Sequence, residues 1–373
     1  MEYDSITIDT NVFDRNGLNL EGGMLGQLSQ FRDGPTRFVL SEIVVREVRK
    51  HLVDKAKEAT NSLAGAIKDV VKQKVASEVT GKQLSEILES FPQQQDIVGT
   101  RLNSFIETTG ANVVSADSLD IKDLIKCYFS SLPPFEETGK KKNEFPDAII
   151  LLSLEEWAKT NQQKILAISH DKGWANFASD SEWIDVEDDF AAALERIQTR
   201  AHDASEFMIQ FVADLEHGNT PDMMEEIDSN VGYVVSGLII DANANSSYYY
   251  ELEDSPDLEY NGLLLRKSEG THDVKVVHAE QQKIVSKLGL LIPIKATANF
   301  LFEAHLSEGE HLDLGNAYYT AEADLNAEIL VTLEGDFAGG DGNFEITDIE
   351  MTYVEDAVDF GEINPNFGDW HSD

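Results

Sequence analysis

Residues 5–13 read S-I-T-I-D-T-N-V-F, and the order of residue types in this stretch decides how the chain begins to fold. Ser5–Ile8 alternates polar and apolar side chains as a short strand does, and Asp9-Thr10-Asn11 follows it directly. An aspartate at the end of a buried strand is costly unless something compensates its charge, so Asp9 calls for a role beyond packing.

Outward from this stretch the same grammar recurs. Residues 18–32 have helical apolar spacing and stop at Asp33-Gly34-Pro35. R-F-V-L at 37–40 reads as a second short strand, after which Ser41 stands where a helix N-cap belongs and residues 43–52 continue as helix. Residues 53–90 are helical in pattern with an interruption at Thr80-Gly81, and further helices are expected over 94–108 and 118–130, with a short strand at 112–114. A loop carrying Lys140, Lys141 and Lys142 leads to the apolar helix 147–160, and K-I-L-A-I-S at 164–169 forms another buried strand that ends in His170-Asp171. Residues 181–186 offer one more strand. Strands alternating with helices indicate an α/β fold with a mostly parallel sheet, whose functional crevice lies at the carboxyl ends of the strands.

Beyond residue 187 a long helix toward His217 and a short one over 220–228 are expected. The period then changes to β, with strands expected over 233–240, 263–265, 274–279, 291–304, 321–333 and 345–354, separated by Gly, Asn and Asp turns. The organisation expected is a first domain over 1–190 with a helical insertion at about 53–135, a helical connector over 191–230, and a mainly antiparallel β domain over 231–373.

Charge divides the chain in the same way. Of the net −40, residues 1–200 contribute −10 from 33 acids and 23 bases, while residues 201–373 contribute −30 from 36 acids and 6 bases. A uniform −40 argues against a simple nucleic-acid binder, which needs a basic face. The uneven division instead indicates two unlike modules, the acidic one open to three roles: a solvated scaffold, a dock for a basic partner, or a mimic of nucleic-acid charge. A single cysteine, Cys127, cannot form an internal disulfide, and with an acidic start and no long apolar run neither a membrane span nor a secretory leader is expected. A cytoplasmic setting is expected.

Four acids stand where the first domain should converge: Asp9 after the first strand, Glu47 on the helix capped by Ser41, Asp147 at the start of the apolar helix, and Asp171 after the strand 164–169. Oxygen-only donors suit Mg²⁺ or Mn²⁺, and an ion held this way activates water for phosphodiester hydrolysis. The alternatives are ordinary: Asp9 and Asp171 as turn or cap carboxylates, Glu47 as a solvated residue pairing Lys50 or His51, and Asp147 as a complement to the helix dipole. No zinc-ligand spacing, nucleophile elbow, phosphate-binding loop or dinucleotide fingerprint is present.

I-T-I-D-T-N-V-F (6–13), V-L-S-E-I-V-V-R-E-V-R-K-H (39–51), E-F-P-D-A-I-I-L-L-S-L (144–154) and I-L-A-I-S-H-D-K-G-W (165–174) together resemble the successive motifs of the PIN-domain nucleases, in the order that family keeps. They are most similar to the larger bacterial PIN-like proteins with a long helical insertion. The resemblance implies a three-layer α/β/α fold and a metal-dependent endonuclease acting on RNA or, less often, on structured DNA. It implies Asp9, Glu47 (in preference to Glu42), Asp147 and Asp171 as catalytic metal ligands for Mg²⁺ or Mn²⁺, with Asn11 and Ser169 orienting them. Gly173 departs from the pattern, since many members carry another acid there, and this leaves one carboxylate fewer for a second ion. Lys140, Lys141, Lys142 and Arg46 are candidates for guiding a nucleic-acid backbone, and Arg49, Lys50, Lys55 and Lys57 extend the basic stretch or form an exposed helix face. Trp157 and Trp174 read as core, and Cys127 as a small buried side chain. Family relatives also suggest a toxin-like or anti-phage defence role, with the chain a homo-oligomer or a subunit of a complex. A reading of another class is a PIN-like scaffold without catalysis, serving as a binding or regulatory subunit whose acidic domain holds a basic protein.

Overall fold

The computed structural model describes residues 3–91, 93–135, 145–198, 201–305, 311–337 and 344–365. The chain divides into two compact units, Met1–Thr199 and Arg200–Asp373.

In the first unit five strands, β1 (Ser5–Ile8), β2 (Arg37–Ser41), β3 (Asn112–Val114), β4 (Ile165–Ile168) and β5 (Ile184–Glu187), form one sheet in the order β3-β2-β1-β4-β5. Every pairing is parallel. Ile6, Ile8, Phe38, Val39, Leu40 and Ile165 through Ile168 are all buried, as expected of a parallel sheet covered by helices on both faces. This is the α/β fold with a parallel sheet that the alternating sequence pattern predicts, and its α/β/α layering is the one that the resemblance implies. Strand order reverses direction at β1, so β1 and β4 are neighbours whose connections depart to opposite sides. Such a switch point opens a crevice at the carboxyl ends of the two strands. The register is fixed by Ile8 opposite Ile168, and the Asp9 amide donates to the Ile168 carbonyl at 3.0 Å.

Helix α1 (Thr10–Arg15) starts immediately after β1. The expected helix over 18–32 is only a short turn, α2 (Gly23–Gly26), followed by a 3₁₀ segment Gln27–Phe31, because Gly22, Gly23 and Gly26 weaken helical propagation. Helix α3 (Glu42–Lys72) runs for 31 residues from its Ser41 cap, with Val44, Val48 and Leu52 as its buried stripe. The insertion continues as α4 (Glu78–Glu89), α5 (Gln94–Thr109) and α6 (Ile121–Phe129), with no break at Thr80-Gly81 inside α4. Phe105 of α5 meets Phe13 and Phe38 edge-on at 5.7 and 6.2 Å, which ties the insertion to α1 and β2. Helices α7 (Phe145–Asn161), α8 (Lys172–Asp180) and α9 (Phe190–Ile197) complete the unit.

The second unit begins with α10 (Ala201–Glu216) and α11 (Pro221–Val235). Residues 201–230, expected as a connector, are part of this unit. Met208, Phe211, Val212 and Leu215 of α10 and Ile227, Val231 and Val235 of α11 share one core with Leu290, Ile292, Ile294, Ile329 and Val331. The strand expected over 181–186 is β5, and the long helix expected from 187 to 217 is instead two helices, α9 and α10. The strand expected over 233–240 is not formed, since α11 extends to Val235 to bury that i, i+4, i+8 stripe.

Strands follow as β6 (Asp241–Asn245), β7 (Tyr249–Leu252), β8 (Asp257–Tyr260), β9 (Leu264–Leu265), β10 (Lys267–Ser268), β11 (Thr271–His272), β12 (Val274–Ala279), β13 (Lys283–His305), β14 (His311–Gly335), β15 (Phe344–Val354) and β16 (Ala357–Glu362). β13 and β14 are the long arms of one antiparallel pair within a seven-stranded sheet, and β16 pairs with β6 in a separate parallel ribbon. Along β14 the exposed residues Glu322 and Asp324 alternate with Ala321, Ala323 and Leu325, which face inward. An acidic excess therefore coexists with a packed sheet, because the acids occupy outward positions.

Candidate active site

Asp9, Ser169 and Asp171 lie at the carboxyl ends of the adjacent strands β1 and β4. Asp9 is only 5% exposed. Its Oδ1 accepts from the Thr10 amide at 2.6 Å, which caps α1. Its Oδ2 accepts from the Ser169 hydroxyl at 2.7 Å and from Asn11 Nδ2 at 2.5 Å. Ser169 Oγ in turn accepts from Asn11 Nδ2 at 3.3 Å and from the Asp171 amide at 3.0 Å. Asn11 and Ser169 thus hold the Asp9 carboxylate in place, and Ser169 joins it to the loop bearing Asp171.

Burial pushes the Asp9 carboxyl up to about 7; the charges of Asp147 and Asp171 add to this, while the bonds from Ser169 and Thr10 oppose it. That response brings Asp147 and Asp171 into the electrostatic neighbourhood of Asp9. Asp171 caps α8, accepting from the Gly173 amide at 2.5 Å. Asp147 lies in the first turn of α7 and accepts from the Trp174 indole N–H at 3.2 Å. Glu47, half-buried on α3, accepts from the Thr10 hydroxyl at 2.7 Å. Asp9 and Asp171 are therefore helix caps as well as members of the cluster.

Glu42 has a different task. It accepts from the Ala116 amide at 2.9 Å, the Ser115 hydroxyl at 3.2 Å and Arg46 at 2.9 Å, binding the segment after β3 to the start of α3. The Ala116 bond above all holds its carboxyl below the usual range. Arg46, with a side chain 72% exposed, is engaged by Glu42. Lys140, Lys141 and Lys142 lie outside the described residues. Burial pushes the half-buried Cys127 thiol up, so it is no nucleophile at neutral pH.

Two contributors escape sequence reading. Thr10 reads as the middle of an Asp-Thr-Asn turn, yet its hydroxyl reaches Glu47, 37 residues on. Trp174 is fully buried, and its indole N–H is committed to Asp147. The signal for both was adjacency to a candidate acid; the pairing itself needs the fold.

Among the described residues no three His, Cys, Asp or Glu side chains gather closely enough to form a finished ion cage. The residues nevertheless fit a divalent cation by their chemistry. The donors are all oxygen, burial above all raises the Asp9 carboxyl to about 7, which a cation would reverse, and the buried Asn11 Oδ1 has no hydrogen-bond partner.

Residues 6–174 match the family model of the PIN domain. No curated protein and no solved structure matches the chain at a significant level.

Proposed function

We propose that the PIN domain formed by residues 6–174 is a metal-dependent endonuclease with RNA as its substrate. The observation that carries this reading is the buried Asp9 carboxylate at the switch point between β1 and β4, held by Ser169 and Asn11 and joined through Ser169 to the loop of Asp171. A carboxylate buried in this way is destabilised as an anion, and a divalent cation would relieve it.

Asp9, Glu47, Asp147 and Asp171 would hold Mg²⁺ or Mn²⁺. Such an ion supplies water activation and charge neutralisation at the scissile phosphate. The chain's own contribution is positioning. Ser169 and Asn11 fix the Asp9 carboxylate, Thr10 fixes Glu47, and Trp174 fixes Asp147. With Gly173 in place of a further acid, the four carboxylates serve one well-held ion better than two. Arg15 lies near enough to His170 for its charge to lower the imidazole pKa, an effect second to that of burial, so a cation stands beside the loop that carries Asp171. The choice of RNA, and a toxin-like or defence role, rest on the family resemblance.

The test is incubation of the purified protein with total RNA, single-stranded DNA and duplex DNA, with Mn²⁺ or with EDTA, alongside Asp9→Asn and Asp171→Asn. Cleavage of RNA that needs Mn²⁺ and vanishes in both variants supports the reading. Activity retained in both variants rejects it.

A further inference from the structure

We propose that His51, oriented by Asp14, is the proton donor to the departing oxygen when the carboxylate site cleaves a phosphodiester. This deepens the nuclease reading and rests on it.

Two cross-bonds join α1 to α3, and they form successive rungs. The first runs from the Thr10 hydroxyl to Glu47 at 2.7 Å. The second lies one helical turn further along both helices, from His51 Nδ1 to the two carboxylate oxygens of Asp14 at 2.9 and 3.0 Å. Thr10 and Asp14 stand at i, i+4 on α1, and Glu47 and His51 at i, i+4 on α3, so each pair shares a helix face with about 6 Å between neighbours. Glu47 and His51 each precede a buried residue, Val48 and Leu52, and so run along the edge of the stripe by which α3 packs. His51 is thus the next side chain along from an acid of the site, at a place fixed by contacts on two helices.

The chemistry of the pair suits proton transfer. A carboxylate only accepts, so Nδ1 carries a hydrogen and Nε2 is the nitrogen left for a ligand. Both Asp14 oxygens on one ring nitrogen fix the plane of the imidazole. Among the described residues Nε2 makes no hydrogen bond, and the His51 side chain is 38% exposed, so a substrate can reach it. Once Asp9, Glu47, Asp147 and Asp171 hold a cation they are acceptors with no proton to give. A site with one ion also leaves the departing oxygen without a cation of its own, which gives a protein donor its task. Imidazole ordinarily titrates near neutrality and can therefore both give and regain a proton. In the step, water attacks phosphorus, the bond to the departing oxygen breaks, and the bonding pair stays on that oxygen. The oxygen takes the Nε2 proton, the attacking water loses a proton to solvent, and the ring is recharged from solvent.

The experiment times cleavage of single-stranded oligoribonucleotides by the full chain in Mn²⁺. One internal linkage carries oxygen throughout, a bridging 3′ sulfur, or a bridging 5′ sulfur, because a thiolate departs without needing a proton. His51→Ala is expected to slow cleavage of the oxygen linkage about 100-fold and to cut one of the two sulfur linkages at close to the wild-type rate. The isomer that recovers identifies the departing oxygen. Asp14→Ala should show a smaller loss with the same recovery, and His51→Ala should keep its Mn²⁺ affinity by calorimetry. Equal rates for wild type and His51→Ala on the oxygen linkage overturn the proposal and leave the nuclease reading standing. An equal loss on all three linkages also overturns it, since that marks a structural or phosphate-binding role. So does a sulfur-rescued loss in His170→Ala but not in His51→Ala, which moves the donor to the histidine beside Asp171. A wild type that cuts no linkage rejects the nuclease reading and this assignment with it.

Discussion

The Thr10 hydroxyl donates to Glu47 at 2.7 Å while the Thr10 amide donates to Asp9 at 2.6 Å, so one residue connects two acids from different elements. Removing the hydroxyl while keeping the amide separates these tasks. Thr10→Val is expected to weaken Mn²⁺ binding about tenfold, within the range for loss of a ligand-orienting partner, while Thr10→Ser stays close to wild type. Titration calorimetry of the three proteins checks this. Equal affinities would show that Glu47 is indifferent to Thr10.

Asp9 makes the apo protein pH-sensitive in a stated direction. Its carboxyl has a pKa of about 7 in the fold, against an ordinary 3.8. The folded state therefore keeps a proton that the unfolded chain has lost. The associated stability is complete below pH 3.8, declines as pH rises, and is gone above about 7. A gap of about three units corresponds to ~4 kcal/mol between the two limits. In EDTA, Asp9→Asn is expected to melt higher than wild type at pH 8, with the difference shrinking toward pH 5. Saturating Mn²⁺ should raise the wild-type Tm at pH 8 and leave the variant unmoved. Parallel melting curves for the two proteins across this range would refute the assignment.

Glu42 and Glu47 are five residues apart on α3 and should behave oppositely. Glu42→Ala removes the acceptor for the Ala116 amide and is expected to cost about 1 kcal/mol of stability with Mn²⁺ affinity retained. Glu47→Ala should lower Mn²⁺ affinity with little loss of Tm. Denaturant melts paired with metal titrations decide, and a reversal of the two would exchange the roles assigned to these glutamates.

The acidic unit is expected to oppose substrate binding. Ending the chain at Thr199 removes a module that has its own core and bears −29 of the −40 net charge. The shortened protein should bind RNA more tightly than the full chain at low salt, with the gap closing as added salt screens the field. Anisotropy at about 50 and about 300 mM salt measures it. Unchanged affinity in a folded truncation would leave those acids as a solubility surface.

Much of the first unit is legible in the sequence because each functional acid is tied to a local signal. Asp9 follows the buried alternating tetrad Ser5–Ile8, Asp171 comes soon after the buried apolar tetrad Ile165–Ile168, and Ser41 announces the helix that carries Glu47. What is not legible is pairing at a distance: Thr10 with Glu47, and Trp174 with Asp147. Apolar periodicity places Trp174 in the core correctly but is silent about its N–H. Errors elsewhere have their own causes. Val234 and Val235 favour a strand locally, and the buried stripe Ile227, Val231, Val235 overrules them. The arms of β13 and β14, 23 and 25 residues long, exceed ordinary strand lengths. The strands expected over 291–304 and 321–333 cover only part of each arm. Pro293 is accommodated because its carbonyl accepts from Asn261 while the ladder to β14 continues past it.

The parallel register that sets Ile8 beside Ile168 also fixes a timetable for the chain as it is made. The first strand emerges at once but has no fourth strand to lie against until 160 more residues have followed. Until then Asp9 has neither Ser169 nor Asp171 beside it, so a ribosome-bound chain of about 150 residues contains most of the helices and no complete acid cluster. The β13–β14 pair obeys the opposite rule. His305 and His311 can meet as soon as both are synthesised, and pairing then extends outward residue by residue. Synthesis thus delivers the carboxylate site late within its own unit, and the acidic unit follows it from the same ribosome. A polypeptide cut short before β4 carries no assembled site into the cell.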